Sequence, residues 1–257
     1  MSTFLFNEII FGPVKSRRLG TSLGINLLPT KRKYCNFNCV YCECGANINI
    51  GKIVLPSFSE FSMALENKLS EMKSNNSELN SITFAGNGEP TIHPDFSKII
   101  DFTIQSRNNF FPNAKVSVLS NATMINKPEI VDALKKVDMN ILKLDSAIEH
   151  TVININRPFG QYSVENTVNL LKQFSGDFIL QTMFLEGTVN KVHFNNMTDK
   201  ELSAWLKIVE TLRPKQVMIY TIARDTPEKD LRKASHDELE NIKIKIEKLG
   251  INVQVSE

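Results

Sequence analysis

Short apolar runs alternate along this chain with longer stretches whose apolar positions recur at helical spacing. Residues 4–11 have strand composition and are closed by Gly12-Pro13. Residues 22–28 predict a buried strand that stops at Pro29-Thr30 and leads straight into a loop holding every cysteine of the chain. Ser57 and Glu60 then stand at capping-box spacing ahead of a helical pattern through Phe61, Ala64, Leu65, Leu69 and Met72.

From there strand and helix repeat. Strands are predicted at 80–85, 115–119, 140–144, 178–185, 216–222 and, as a final short piece, 252–255. Helices are predicted at 95–106, at 127–137 with Pro128 in the first turn, at 164–174, from a cap at Thr198 to Leu212, and from Ser235 to the stop at Gly250. Residues between 145 and 158 read as irregular, ending in Asn156-Arg157-Pro158. Counted from Ser22 this makes about six β/α units with no Pro-, Gly- or Ser-rich linker. The expectation is one α/β domain over 1–257, with an N-terminal extension at 1–21 and the β/α core at 22–257. Right-handed crossovers wound the same way give a curved, partly closed barrel, and a doubly wound open sheet is the alternative.

Composition changes the picture little, and charge changes it locally. With 257 residues and 42% hydrophobic content the chain can bury a sizeable core. No stretch approaches the roughly 18 apolar residues of a membrane helix, and Met1 to Asn7 lacks the features of a signal peptide, so a cytoplasmic location without membrane partners is expected. Up to Cys42 there are six basic residues (Lys15, Arg17, Arg18, Lys31, Arg32, Lys33) against Glu8, and the remaining 24 basic and 27 acidic residues resemble an ordinary surface. A local positive field of this kind suits an anionic cofactor and a phosphate backbone equally.

The cysteines number four, Cys35, Cys39, Cys42 and Cys44, all within ten positions. In a reducing compartment such a cluster points to metal rather than disulfides. Three thiolates on one compact loop at a strand's carboxyl end suit an iron–sulfur centre with one iron left open. The alternative is a structural zinc site on all four, against which stands the single residue between Cys42 and Cys44. A second feature, Gly86-Asn87-Gly88-Glu89-Pro90, follows the next strand, where glycine permits close backbone approach and Glu89 can accept a hydrogen bond from a ligand ammonium.

Together these residues resemble the radical SAM superfamily. Its pattern C-x3-C-x-aromatic-C is met by Cys35, Cys39, Tyr41 and Cys42, and its Gly-Gly-Glu-Pro motif corresponds to Asn87-Gly88-Glu89-Pro90, with Asn87 replacing the first glycine. The resemblance implies a partial (β/α)6 TIM-like barrel with the cluster loop after its first strand. It implies a 4Fe-4S cluster on Cys35, Cys39 and Cys42, whose fourth iron is chelated by the amino and carboxylate groups of S-adenosylmethionine. Reductive cleavage to a 5'-deoxyadenosyl radical would follow, fed by an external donor of flavodoxin or ferredoxin type. Tyr41 would lie beside the adenine, and Gly88 and Glu89, with the backbone of Asn87, would hold the methionine amino group. Residues 12–20, Lys143-Leu144-Asp145, Asn156-Arg157-Pro158 and 220–224 resemble a bacterial and archaeal branch related to the wyosine-base tRNA synthases. The second cluster those synthases use has no cysteines here, so their pyruvate reaction is not expected. The stretch from Ala223 to Pro227 departs from the branch's Asp-Arg-Pro-Pro and leaves Arg224 without a role.

Polar residues at later strand ends are the remaining candidate ligands: Ser120, Asn121, Asp145, Gln181 and Tyr220. A carboxylate or amide there can bond ribose hydroxyls; satisfying local backbone is the other role open to each. Lys143 is either an inward, substrate-facing cation or a solvated strand residue. His93, His150, His193 and His236 show no metal spacing and read as surface or loop residues, and Trp205 reads as core. Three functions follow: a radical SAM enzyme acting on RNA or a nucleotide-containing substrate, the same chemistry on a peptide, protein or small metabolite, and a non-enzymatic zinc protein.

Overall fold

The computed structural model describes residues 4–16, 18–47 and 52–257. Arg17, part of the basic run, and Met1 to Thr3 of the opening segment lie outside them. Strands β1 (Ile10–Ser16), β2 (Gly20–Ile25), β3 (Ser81–Phe84), β4 (Lys115–Ser120), β5 (Met139–Lys143), β6 (Ile179–Met183), β9 (Gln216–Tyr220) and β11 (Val253–Ser256) form one sheet in that order. Only β1 runs antiparallel to its neighbour. Because the parallel strands keep their chain order, with none crossing back past the first, the sheet is a curled half-barrel and not a doubly wound sheet.

The helices are α1 (Phe58–Ser74), α2 (Phe96–Phe110), α3 (Pro128–Lys136), α4 (Glu149–Asn156), α5 (Val164–Leu171), α6 (Asp199–Leu212) and α7 (His236–Glu247). Ser57 with Glu60, and Ser235 with Glu238, form the capping boxes their spacing predicts. Alternate strand residues, such as Leu23, Ile82, Val116, Leu142, Leu180 and Val217, pack outward into the main core with these helices. Residues of opposite parity, Ile141, Ile179 and Met218, fill the concave side with Leu119, Met139 and Leu19. Leu19 comes from the turn between β1 and β2, so this hairpin supplies part of the barrel floor. Trp205 is buried against Phe184, ring centroids 5.4 Å apart, as the helical pattern requires of a core residue.

Three expectations need correction. The first strand does not end at Gly12-Pro13 but begins at Ile10 and continues through them by a register irregularity, which an edge strand tolerates because proline need not donate there. The stretch before Arg157 is not irregular: it is α4, and Arg157 closes it in the left-handed conformation at φ +46°. After β6 the chain turns into a hairpin, β7 (Leu185–Val189) and β8 (Val192–Asn195), which β10 (Leu231–Lys233) joins as a second sheet. Asn190 and Lys191 both have positive φ, giving the two-residue turn that matches strand twist. Among the described residues no helix is long and apolar enough to cross a membrane.

Candidate functional site

The loop after β2 is held from below by the two elements the sequence pattern did not show. Backbone N–H groups of Asn38 and Val40 donate to the carbonyls of Asn156 and Ile155, each at 2.9 Å, so the open carbonyls at the α4 terminus are satisfied by the cysteine loop itself. Val40 and Tyr41 are buried with Ile155, Met183, Leu185, Val189 and Phe194, a small core built by α4 and the β7–β8 hairpin. On the other side Gly88, at φ +144°, lies against Tyr34; a Cβ there would stand 1.9 Å from the Tyr34 carbonyl oxygen. This close approach, which glycine alone allows, locks the glycine turn to the start of the cysteine loop.

Cys35, Cys39 and Cys42 line one cavity of about 220 Å³ with Gly88, Glu89, Ser120, Asn121, Lys143, Gln181 and Tyr220. Each of the three sulfurs has nitrogen donors. Phe37 N and Asn121 Nδ2 reach Cys35 Sγ at 3.4 and 3.7 Å, and Asn156 Nδ2 reaches Cys39 Sγ at 3.4 Å. The Lys33 ammonium, which also donates to the Gly45 carbonyl at 3.0 Å, bonds Cys42. The Cys44 thiol and Lys33 hold Cys42 below the usual thiol range despite burial, while the same bond pushes Cys44 up. Burial raises Cys35 and Cys39. Burial also disfavours the charged form of Lys33, yet the surrounding thiols Cys42, Cys39 and Cys35 leave it above the ordinary lysine value. Cys44 also donates to the Gly86 carbonyl at 3.6 Å and lines the same cavity.

Not every predicted ligand presents a free group there. Glu89 is buried and caps the short 3-10 turn Pro90–Ile92: its carboxylate accepts from Asn121 N at 2.7 Å, Thr91 N at 3.1 Å and Thr91 Oγ1 at 2.5 Å. Burial raises its pKa nonetheless. Asn87 does not line the cavity; its amide donates to the carbonyls of Phe6 and Pro29, each at 2.8 Å, and accepts from Phe6 N, which fastens the N-terminal segment to the glycine turn. Asp145 is likewise turned away: its carboxylate accepts from Tyr41 Oη, from Asn156 Nδ2 at 2.6 Å and from Met183 N at 2.9 Å. These partners tie Asp145 to the Tyr41 hydroxyl and to the backbone of β6. Ser120 Oγ accepts from Ala122 N, and Asn121 also bonds Asn36 Oδ1 at 2.6 Å.

Lys143 points inward, Nζ 2.7 Å from Tyr220 Oη and 3.4 Å from Asp145 Oδ1. Three residues near the sulfurs or the lumen had no assigned part: Lys33, Asn156 and Arg18. Asn156 stood in a quoted motif, and its signal was that it ends a run with Val152 and Ile155 at helical spacing. His93, expected at the surface or in a loop, is a loop residue but buried, where it bonds the Pro56 carbonyl at 2.8 Å. Arg224 pairs with Glu43 at 2.5 Å, next to the cysteine loop.

The family model described as Radical SAM superfamily matches residues 32–202. Among curated proteins, the chain is 31% identical to a protein named GTPase Obg from Brachyspira hyodysenteriae, over 91% of this chain but 33% of that one. It is 30% identical to a UPF0026 protein of Helicobacter pylori, over 90% of this chain and 71% of the relative. Streptococcus suis SuiB bound to S-adenosylmethionine shares the fold at a TM-score of 0.63 with 15% identity, covering 88% of this chain and 49% of SuiB. The chain thus spans a third of the first of these relatives and about half of the structural one. The matched segment contains the cysteine loop, the glycine turn and strands β3 to β6, and the chain belongs to the radical SAM superfamily.

Proposed function

We propose that this chain binds its cofactors through Cys35, Cys39, Cys42, Gly88 and Glu89, and uses them to abstract hydrogen from a small substrate admitted at the barrel mouth. The superfamily's cofactors are a 4Fe-4S cluster and S-adenosylmethionine. When bound, they supply reductive cleavage of the sulfonium to methionine and a 5'-deoxyadenosyl radical that takes a substrate hydrogen.

The observation that carries the reading is the donor set: three thiols facing one cavity, each with at least one N–H donor, the arrangement that stabilises cluster thiolates. A cubane spreads its ligands over separate irons, so they need to share a cavity and not a point. Sulfurs on a single zinc, at about 2.3 Å from the metal, must converge. Cys44, the fourth sulfur a zinc site would need, donates to the Gly86 carbonyl at 3.6 Å, which favours a three-cysteine cluster over structural zinc.

The chain's own residues then have distinct parts. Glu89, fixed by Thr91 and Asn121, carries negative charge to the rim where the ligand's ammonium would lie. Tyr41, held by Asp145 and Asn156, presents its ring to the cavity. Lys33 supplies positive charge against the thiolates. Two members of the basic run do not contribute to an outer patch for RNA, since Lys33 is buried at the cysteines and the guanidinium of Arg18 lies over the Tyr220 ring, while Lys15 and Lys31 are exposed. Anaerobic reconstitution followed by metal and sulfide analysis tests the reading: iron with sulfide is expected, and zinc alone would overturn it. Salt-sensitive RNA binding would restore the RNA substrate.

A further inference from the structure

Beneath the cysteine loop the concave side of the barrel gathers two cations, Lys143 and Arg18, around one carboxylate, Asp145, which pairs with Lys143 at 3.4 Å. Lys143 Nζ lies 5.1 Å from the ring centroids of both Tyr41 and Tyr220, and the Arg18 guanidinium carbon is 4.9 Å from the Tyr220 centroid. Arg18 arrives from the β1–β2 turn, its carbonyl held by Gln254 Nε2 at 3.4 Å. That carboxylate is shared also among Tyr41, Asn156 and Met183 N, and no carboxylate is paired with Arg18 among the described ion pairs. Two buried nitrogens here have no partner: Arg18 Nη1 and Gln181 Nε2, the latter on a side chain 5% exposed that lines the cavity.

Buried N–H groups left unpaired pay their full desolvation penalty, so a native lumen rarely keeps two beside an excess of cationic charge without a ligand to receive them. All the open groups are donors, and what satisfies them is an acceptor-rich anion. Below them the floor is apolar, with Ile141, Ile179 and Met218. Arg18 and Tyr220 fall outside the family-matched segment 32–202, whereas Lys143 and Gln181 lie within it and line the same cavity as the cysteines. The cofactor's own carboxylate is assigned to the open iron.

We propose that Arg18, Gln181 and Lys143 form an anion subsite that grips a carboxylate or phosphate of a small substrate. The proposal rests on the radical SAM reading above and specifies its substrate class.

The test is equilibrium binding to the reconstituted protein with S-adenosylmethionine present, using inorganic phosphate in one arm and succinate in the other. One of the two is expected to bind, with affinity falling about tenfold or more in Arg18→Gln and Gln181→Leu, as loss of a charge-assisted or buried hydrogen bond requires, and with partial recovery in Arg18→Lys. The arm that binds tells phosphate from carboxylate. Cofactor affinity, measured in the same variants, is expected to stay within about twofold, since the subsite does not hold the cofactor. Binding of neither anion to the wild type, unchanged anion affinity in both variants, or cofactor affinity falling in step would overturn the proposal. Anion binding without any 5'-deoxyadenosine from the wild type would instead overturn the enzymatic reading and leave the subsite standing.

Discussion

Burial disfavours the Lys33 ammonium, yet the negative charge of the Cys42, Cys39 and Cys35 thiolates holds its pKa above the ordinary lysine value. A cluster on those thiolates is more negative once reduced, so a fixed ammonium beside it makes reduction easier. Lys33→Met, which keeps the chain's volume, is expected to shift the midpoint potential of the reconstituted cluster in the negative direction in an EPR-monitored redox titration. An unchanged potential would assign Lys33 to holding the Gly45 carbonyl only. Gly88 makes a different demand, on space. Its positive φ and the Tyr34 carbonyl leave no room for a methyl group, so Gly88→Ala should cost about 1–3 kcal/mol of backbone strain and lower S-adenosylmethionine affinity about tenfold in equilibrium dialysis. That the cysteines share one cavity and that Gly88 allows a close backbone approach was legible, because spacing and backbone chemistry are local. Asp145 and Asn87 were not: both sit at the expected strand ends, but their side chains are consumed by partners that only the fold brings near.

Among the elements, strands and capped helices followed their patterns because each has a period and a punctuation mark of its own. Helix α4 escaped notice since Thr151, Val152, Ile153 and Ile155 are β-branched and obscure a helical face. The β7–β8 hairpin escaped because its turn uses Asn190-Lys191, which lacks the glycine that usually announces such turns. These two elements nevertheless carry the cysteine loop, so the site's support was less legible than its ligands. At α7 the cap adds a pH dependence. Glu238 bonds Arg232 at 2.8 Å and closes the capping box, and the Arg232 bond chiefly holds its pKa down at about 2 against an ordinary 4.5. A depressed carboxylate stabilises the fold fully above its unfolded value and loses that contribution as pH falls through its folded one. Glu238→Gln should therefore be less stable than the wild type in urea denaturation above about pH 4.5, with the gap closing as the pH approaches about 2. A gap independent of pH would contradict it.

Across the whole molecule, the half-barrel brings residues from the cysteine loop, the glycine turn and four strands, β4, β5, β6 and β9, onto one cavity. Outward strand residues build the core with the helices and the inward ones are left for chemistry, which is why so few polar side chains decide what the protein does. On the proposed function, Cys35, Cys39 and Cys42 hold a cluster that cleaves S-adenosylmethionine. Its most direct test is anaerobic reduction of the reconstituted protein with S-adenosylmethionine, followed by assay for 5'-deoxyadenosine, with Cys39→Ala in parallel. The wild type should form 5'-deoxyadenosine and Cys39→Ala none; no product from a wild type whose cluster is shown to be intact would contradict the account.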